Sequence, residues 1–237
     1  SVKSRGLGDV YKRQAQHSVH VTNVAPSNPV AELYLGETRI FPDSRGVFIV
    51  LEGDEITFWG QADDSSNDLE SLNHVWRPDA EDLPDLNFSS YGERSTVSGV
   101  SYNTSGMHLA TLQVFDDDGE STEVLIVPIQ VENVAPLVSP ITTTLGQFDE
   151  DEEFTISPQV IETGTDSERL VHCFDLNPVD DSDSDGQSGN DCDVESPFLV
   201  HSWPDSNTAP DSLIFHVTDD DGESASIEFS FSVVTAP

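Results

Sequence analysis

The hexapeptide Asp116-Asp117-Asp118-Gly119-Glu120-Ser121 recurs unchanged at Asp219-Asp220-Asp221-Gly222-Glu223-Ser224. A repeat at this spacing restricts the chain to copies of one folding unit. Each copy follows an alternating apolar run, Leu112-Gln113-Val114-Phe115 or Leu213-Ile214-Phe215-His216-Val217, and precedes another, residues 124–131 or 227–233. Period-two alternation on both sides of a short acidic turn predicts a β-hairpin, with Gly119 and Gly222 where positive φ is needed.

The ends of the units repeat too. Asn23-Val24-Ala25-Pro26 matches Asn133-Val134-Ala135-Pro136, and the sequence given closes on Ala236-Pro237. These matches predict units at 27–136 and 137–237, with residues 15–26 as the last strand of a truncated preceding module. Alternating strands, frequent turn signals and no convincing amphipathic helix argue an all-β chain of two tandem antiparallel β-sandwiches. Residues 1–14 are set aside as non-native, because residues 4–14 resemble one reading frame of a sequencing adapter.

That set-aside segment holds four of the 9 basic residues and only Asp9 of the 45 acidic ones, so the rest is more acidic than the whole chain's −36. Such a surface repels nucleic acid and anionic membranes, attracts cations, and suits a salt-rich habitat that screens self-repulsion. No apolar run approaches the length of a membrane span.

Upstream of the hairpins, Glu52-Gly53-Asp54-Glu55-Ile56-Thr57-Phe58 corresponds to Glu150-Asp151-Glu152-Glu153-Phe154-Thr155-Ile156. Leu72-Asn73-His74-Val75-Trp76 corresponds to Leu170-Val171-His172-Cys173-Phe174. Together with Ala62-Asp63 and Val114-Phe115-Asp116-Asp117-Asp118-Gly119, this order resembles the PKD-domain pattern. The resemblance implies immunoglobulin-like sandwiches of a secreted or cell-surface protein. Both units depart from the family at the loop after strand C, where Trp76-Arg77-Pro78-Asp79-Ala80 or Phe174-Asp175-Leu176 stands. Cadherin-like modules are the structural alternative.

In such a sandwich the B–C and F–G loops share one pole. Strand order then brings Asp63, Asp64 and Asp68 toward Asp116, Asp117 and Asp118 in the first unit, and Asp166 toward Asp219, Asp220 and Asp221 in the second. Loop carboxylates at this density suit calcium, a hard cation that takes six to eight oxygens; the competing reading is solvated acidic turns. By likeness to cadherin linkers, Glu132 and Asn133 are expected to join the Asp219 turn in an ion site between modules.

An acidic insert at 177–197 carries a more local signal. Asp181-Ser182-Asp183-Ser184-Asp185-Gly186 matches positions 1, 3, 5 and 6 of an EF-hand-type calcium loop. Cys192 falls where the loop's last carboxylate belongs, leaving Asp191 and Asp193 as substitutes. Cys173 precedes the core aromatic Phe174 by one residue, so it should face outward and meet Cys192 in a disulfide.

No catalytic motif is present. The seven histidines are scattered, and His74 and His172 read as half-buried strand residues. Trp59 and Trp203 are candidates for stacking on sugars, with core packing as the bland reading. The sequence thus points to a non-catalytic, calcium-stabilised structural or adhesive stalk outside the cell, its partners the neighbouring modules. The rival is an accessory module of a secreted hydrolase that binds polysaccharide or extracellular protein.

Overall fold

A computed structural model describes residues 19–80, 88–139, 142–162 and 169–235. Residues 1–14, set aside as non-native, and Asp166, expected beside the Asp219 turn, lie outside the described residues. The described residues form strands and no helix.

In the first unit, β1 (Ser27–Leu35), β2 (Thr38–Ile40), β4 (Ile56–Asp63) and β7 (Arg94–Val100) make one sheet, in the order β2-β1-β4-β7. The facing sheet has the order β3-β9-β8-β5-β6, built from β3 (Phe48–Leu51), β5 (Asn73–Arg77), β6 (Phe88–Tyr91), β8 (Gly106–Phe115) and β9 (Leu125–Glu132). β3 runs parallel to β9 and all other pairs are antiparallel. Alternation sends Ile56, Phe58 and Ala62 of β4 inward and Thr57, Trp59 and Gln61 outward.

The second unit repeats the plan with β10 (Leu137–Ser139), β11 (Thr144–Asp149), β12 (Phe154–Ile156), β13 (Gln159–Ile161), β14 (Val171–Asp175), β15 (Val194–Glu195), β16 (Leu199–His201), β17 (Ser212–Thr218) and β18 (Ser224–Val234). One sheet has the order β11-β18-β17-β14-β15, with β11 parallel to β18. The other is split into β10-β13 and β12-β16. Pro158 stands between β12 and β13, where the first unit has the unbroken β4; lacking an N–H, proline cannot continue the ladder.

Each unit has its own core. Leu33, Phe58, Trp76, Leu112 and Ile129 are among the residues of the first, and Phe154, Phe174, Phe215, Phe229 and Phe231 among those of the second. Trp76 and Phe174 are both fully buried, as expected for strand C. One expectation needs correction. His74 is fully buried and not half-buried, because it lies two residues before Trp76 and shares its inward face. Burial pushes the His74 pKa down, with the Ser90 backbone opposing part of the shift. Of the segment read as the last strand of a preceding module, residues 15–18 lie outside the described residues and residues 19–26 are in no strand.

Candidate functional site: acidic turns, module junction and pinned insert

The repeated hexapeptide folds the same way twice. Asp116 N–H donates to Glu120 O at 3.0 Å, and Asp219 N–H donates to Glu223 O at 3.0 Å. The Asp116 and Asp219 carboxylates accept back from Glu120 N–H (2.8 Å) and Glu223 N–H (2.9 Å). Gly119 and Gly222 sit at φ +95° and +94°, the left-handed conformation predicted for them.

The linkers are repeated in the same manner. Asn23 Oδ1 accepts from Val24 N–H at 2.9 Å, and Asn133 Oδ1 from Val134 N–H at 2.8 Å. Each amide nitrogen thereby turns to a carboxylate, Asn23 Nδ2 to Asp116 Oδ2 at 2.7 Å and Asn133 Nδ2 to Asp219 Oδ2 at 2.9 Å. Both aspartates are buried. Burial alone would raise the Asp116 pKa, but bonds from Asn23 and the turn N–H groups outweigh it and hold it below the ordinary value. Asp221 accepts from Ser105 Oγ of the first unit at 2.6 Å, and Asp220 pairs with Arg169 at 2.6 Å. The three aspartates of this turn therefore each engage a different donor.

At the corresponding pole of the first unit the predicted carboxylates are engaged separately. Asp63 accepts from Asn28 at 3.0 Å, Asp64 from Ser65 N–H at 2.6 Å and Asp68 from Ser65 Oγ at 2.6 Å. Asp117 and Asp118 are exposed, and Asp118 lines a groove with Asn23, Ser65 and Asp68. The B–C loop and F–G turn do share a pole, but the linker lies along the groove between them. Glu132 is exposed at the end of β9, its carbonyl accepting from Glu52 N–H at 2.9 Å.

Among the described residues one group of three carboxylates offers ligand atoms all within 4.8 Å of one another, and it is Asp181, Asp183 and Asp185. The loop curls onto itself: Asp181 accepts from Asp185 N–H (3.0 Å) and Gly186 N–H (3.1 Å), and Asp183 from Asp185 N–H (3.0 Å). Gly186 takes φ +89°, as the sharp turn requires. The bond from Asp185 N–H pulls the Asp183 pKa down, but desolvation and the fields of Asp185, Asp191 and Asp181 outweigh it and leave it raised.

Asp191 is 1% exposed; its Oδ2 accepts from Ser182 N–H at 2.6 Å, while its buried Oδ1 has no hydrogen-bond partner. Asp193 is used otherwise, accepting from Leu176 N–H at 2.8 Å. Asp175, which the sequence reading did not select, is fully buried beside them with Oδ2 unpartnered. Burial pushes its pKa up; the Asn177 N–H opposes this, and the fields of Asp193 and Asp191 add to it. Its place on β14, two residues after Cys173 on the same outward face, was the available signal.

The insert is held down on that face. Cys173 and Cys192 form the expected disulfide, with Cα atoms 5.4 Å apart. Cys173 points away from the core but is buried under the insert. Gly189 crosses β17 so closely that a Cβ there would lie 3.5 Å from Ile214 Cδ1. Trp203 belongs to the core, stacked on Phe154 (5.3 Å) and Phe231 (4.5 Å), which settles it as packing. Trp59 faces outward.

These features define a tandem of immunoglobulin-like β-sandwich modules with one disulfide. No protein-family description and no curated relative matches the chain. Among solved structures it is similar to the titin domains z1z2 in complex with telethonin, at 12% identity over 92% of this chain and 100% of that one, TM-score 0.43. It is similar to the PKD domain of an M14-like peptidase from Thermoplasmatales archaeon SCGC AB-540-F20, at 11% identity over 46% and 98%, TM-score 0.33. It is also similar to three N-terminal domains of the bacteriophage RB49 Highly Immunogenic Outer Capsid protein, at 14% identity over 88% of this chain, TM-score 0.35. The chain spans 59% of the length of that last structure. No helix among the described residues is long and apolar enough to cross a membrane.

Proposed function

We propose that this chain is a non-catalytic spacer of a larger extracellular protein, with modules fixed end to end and the second module stabilised by calcium. The repeated contact between linker asparagine and F–G aspartate carries the reading. It occurs at two successive linkers with the same donor, acceptor and turn. At the second linker Ser105–Asp221 adds another direct bond between the units. Hydrogen bonds to a charged, desolvated acceptor contribute more than neutral ones, about 1.5–3 kcal/mol each. The Asn133 bond to buried Asp219 is of that kind, and the exposed Ser105–Asp221 bond adds a second tether to a hinge that a bare linker would leave free. Asn133 gives its NH₂ to Asp219 and its Oδ1 to Val134 N–H. A calcium ion bound there in addition would have to draw on Glu132 and the outer aspartates.

Calcium is assigned first to the insert. Asp181, Asp183 and Asp185 offer hard oxygen donors within one ion's reach, and the buried Asp191 carboxylate is near enough for its field to raise the Asp183 pKa. Buried carboxylates without a counter-charge destabilise a fold, and a divalent cation removes that cost. The disulfide and the sandwich architecture support placement outside the cell, where disulfides persist.

Calcium at a hundredfold excess over Kd is expected to stabilise the second module by about 2.7 kcal/mol. Thermal melting in calcium and in chelator, at fixed ionic strength, measures this. Asp181→Ala with Asp183→Ala should remove most of the difference and leave the first module's transition in place. Identical melting in both buffers would instead favour solvated acidic loops.

A further inference from the structure

The outward face of the β2-β1-β4-β7 sheet has no role in the spacer reading, yet it carries an ordered set of side chains. Cross-strand register aligns Val30, Gln61 and Arg94 in one row and Glu32, Trp59 and Thr96 in the next, with Tyr34 opposite Thr57. Trp76 and Trp203 are buried in the two cores, whereas Trp59 is half-buried and its flank is open. The Tyr34 ring lies 5.8 Å from that of Trp59, and its hydroxyl donates to Glu32 Oε2 at 2.8 Å. Glu32 Oε1 is held by Arg39 at 2.8 Å. This chain of contacts fixes the aromatic pair and the carboxylate before any ligand arrives.

Val30, Glu32, Trp59, Gly60, Gln61 and Arg94 line a groove of about 90 Å³. Gln61 and Arg94 also line a second groove of about 320 Å³, which continues to Asp63, Asp64 and Glu93. Arg94 makes no salt bridge among the described residues, in a chain with 45 carboxylates. An open aromatic edge followed by amide, guanidinium and carboxylate groups along one elongated path matches a polyhydroxylated strand. A ring face packs on the indole, and hydroxyls find both donors and acceptors further along.

We propose that this face binds a neutral polysaccharide, with one sugar ring on Trp59 and the following residues directed past Gln61 and Arg94 toward Asp63 and Glu93. Charge selects the neutral class. Asp63, Asp64 and Glu93 outnumber Arg94 in the second groove and accept hydroxyl protons, but they repel a uronate chain, as does the net charge of −36. The site does not use the insert or the junction, and working in chelator keeps any ion off Asp63 and Asp64 during the test.

Affinity electrophoresis of the two-module protein through xyloglucan, galactomannan, hydroxyethylcellulose and polygalacturonate, in chelator, tests it. Retardation by at least one neutral polymer is expected. Trp59→Ala should weaken that binding roughly tenfold or more, the scale of one good aromatic contact. Gln61→Ala should weaken it several-fold, and Trp59→Phe should restore part of the loss. Melting temperatures within a few degrees of the unsubstituted protein establish that the variants are folded. Absence of retardation by every neutral polymer, retention by polygalacturonate alone, or unchanged binding by folded Trp59→Ala would each overturn the proposal.

Discussion

Truncating Trp76 to alanine is expected to unfold the first module at temperatures where the second stays folded. The indole is fully buried between the sheets, 5.2 Å from the Phe58 ring, and its Nε1 donates to Ser95 Oγ at 3.0 Å. Packing is tight enough that a Cβ on Gly60 would come within 2.9 Å of Trp76 Cζ2 and 2.8 Å of Ser95 Oγ. Removing so large a side chain leaves a cavity that the sheets cannot close, and buried aromatic truncations cost about 3–5 kcal/mol. The fully buried Ser95 hydroxyl also loses its donor, leaving only its 3.4 Å contact to Gly60 O. A module with about 5–15 kcal/mol of stability keeps little margin after that loss. Calorimetry should show one transition moving sharply down and the other nearly fixed, because the two cores share no residue. Equal movement of both transitions would mean that the modules fold as one unit.

The second large effect is expected at the insert. Replacing Cys173 and Cys192 together by serine should cost the second module about 3 kcal/mol, the chain-entropy value for a loop of this length. The consequence for calcium is more specific. Cys192 adjoins Asp191, a buried carboxylate whose field acts on Asp183, and its partner Cys173 lies two residues before Asp175. Releasing the bridge allows both buried carboxylates to reach water, which removes the electrostatic reason to hold an ion. The double variant should therefore lose calcium-dependent stabilisation as well as stability in chelator. Denaturant unfolding of the second module in calcium and in chelator gives both numbers. A variant that is destabilised but keeps the full calcium increment would separate the disulfide from the ion site.

Much of this fold was readable because its signals are local. The hairpins depend on a glycine at positive φ between alternating runs, and both copies carry it. The disulfide followed from the alternation that turns Phe174 inward and Cys173 outward. The same alternation places His74 on the inward face with Trp76, where it is fully buried. The break in the second unit's first sheet is written in Pro158, which has no N–H to give to a ladder.

Contacts between distant parts were harder to read. Ser105 reaches Asp221 across 116 positions, and no pattern around Ser105 marks it. Asn133 lies beside the Asp219 turn, and its role as a donor rests on where its own Oδ1 is engaged, a detail of local backbone geometry. The burial of Asp175 and Asp191 depends on how the insert folds over the sheet, and turn composition alone does not specify that path.

The central claim is that Asn133 on Asp219 and Ser105 on Asp221 fix one module against the next. Residual dipolar couplings of the two-module protein in chelator test it most directly, since they report the orientation of each sandwich without requiring an ion. A single alignment tensor should fit both modules in the unsubstituted protein. Asn133→Ala combined with Ser105→Ala should split it into two tensors of different magnitude, with the individual folds unchanged. Two different tensors in the unsubstituted protein, or a double variant still described by one, would contradict the account.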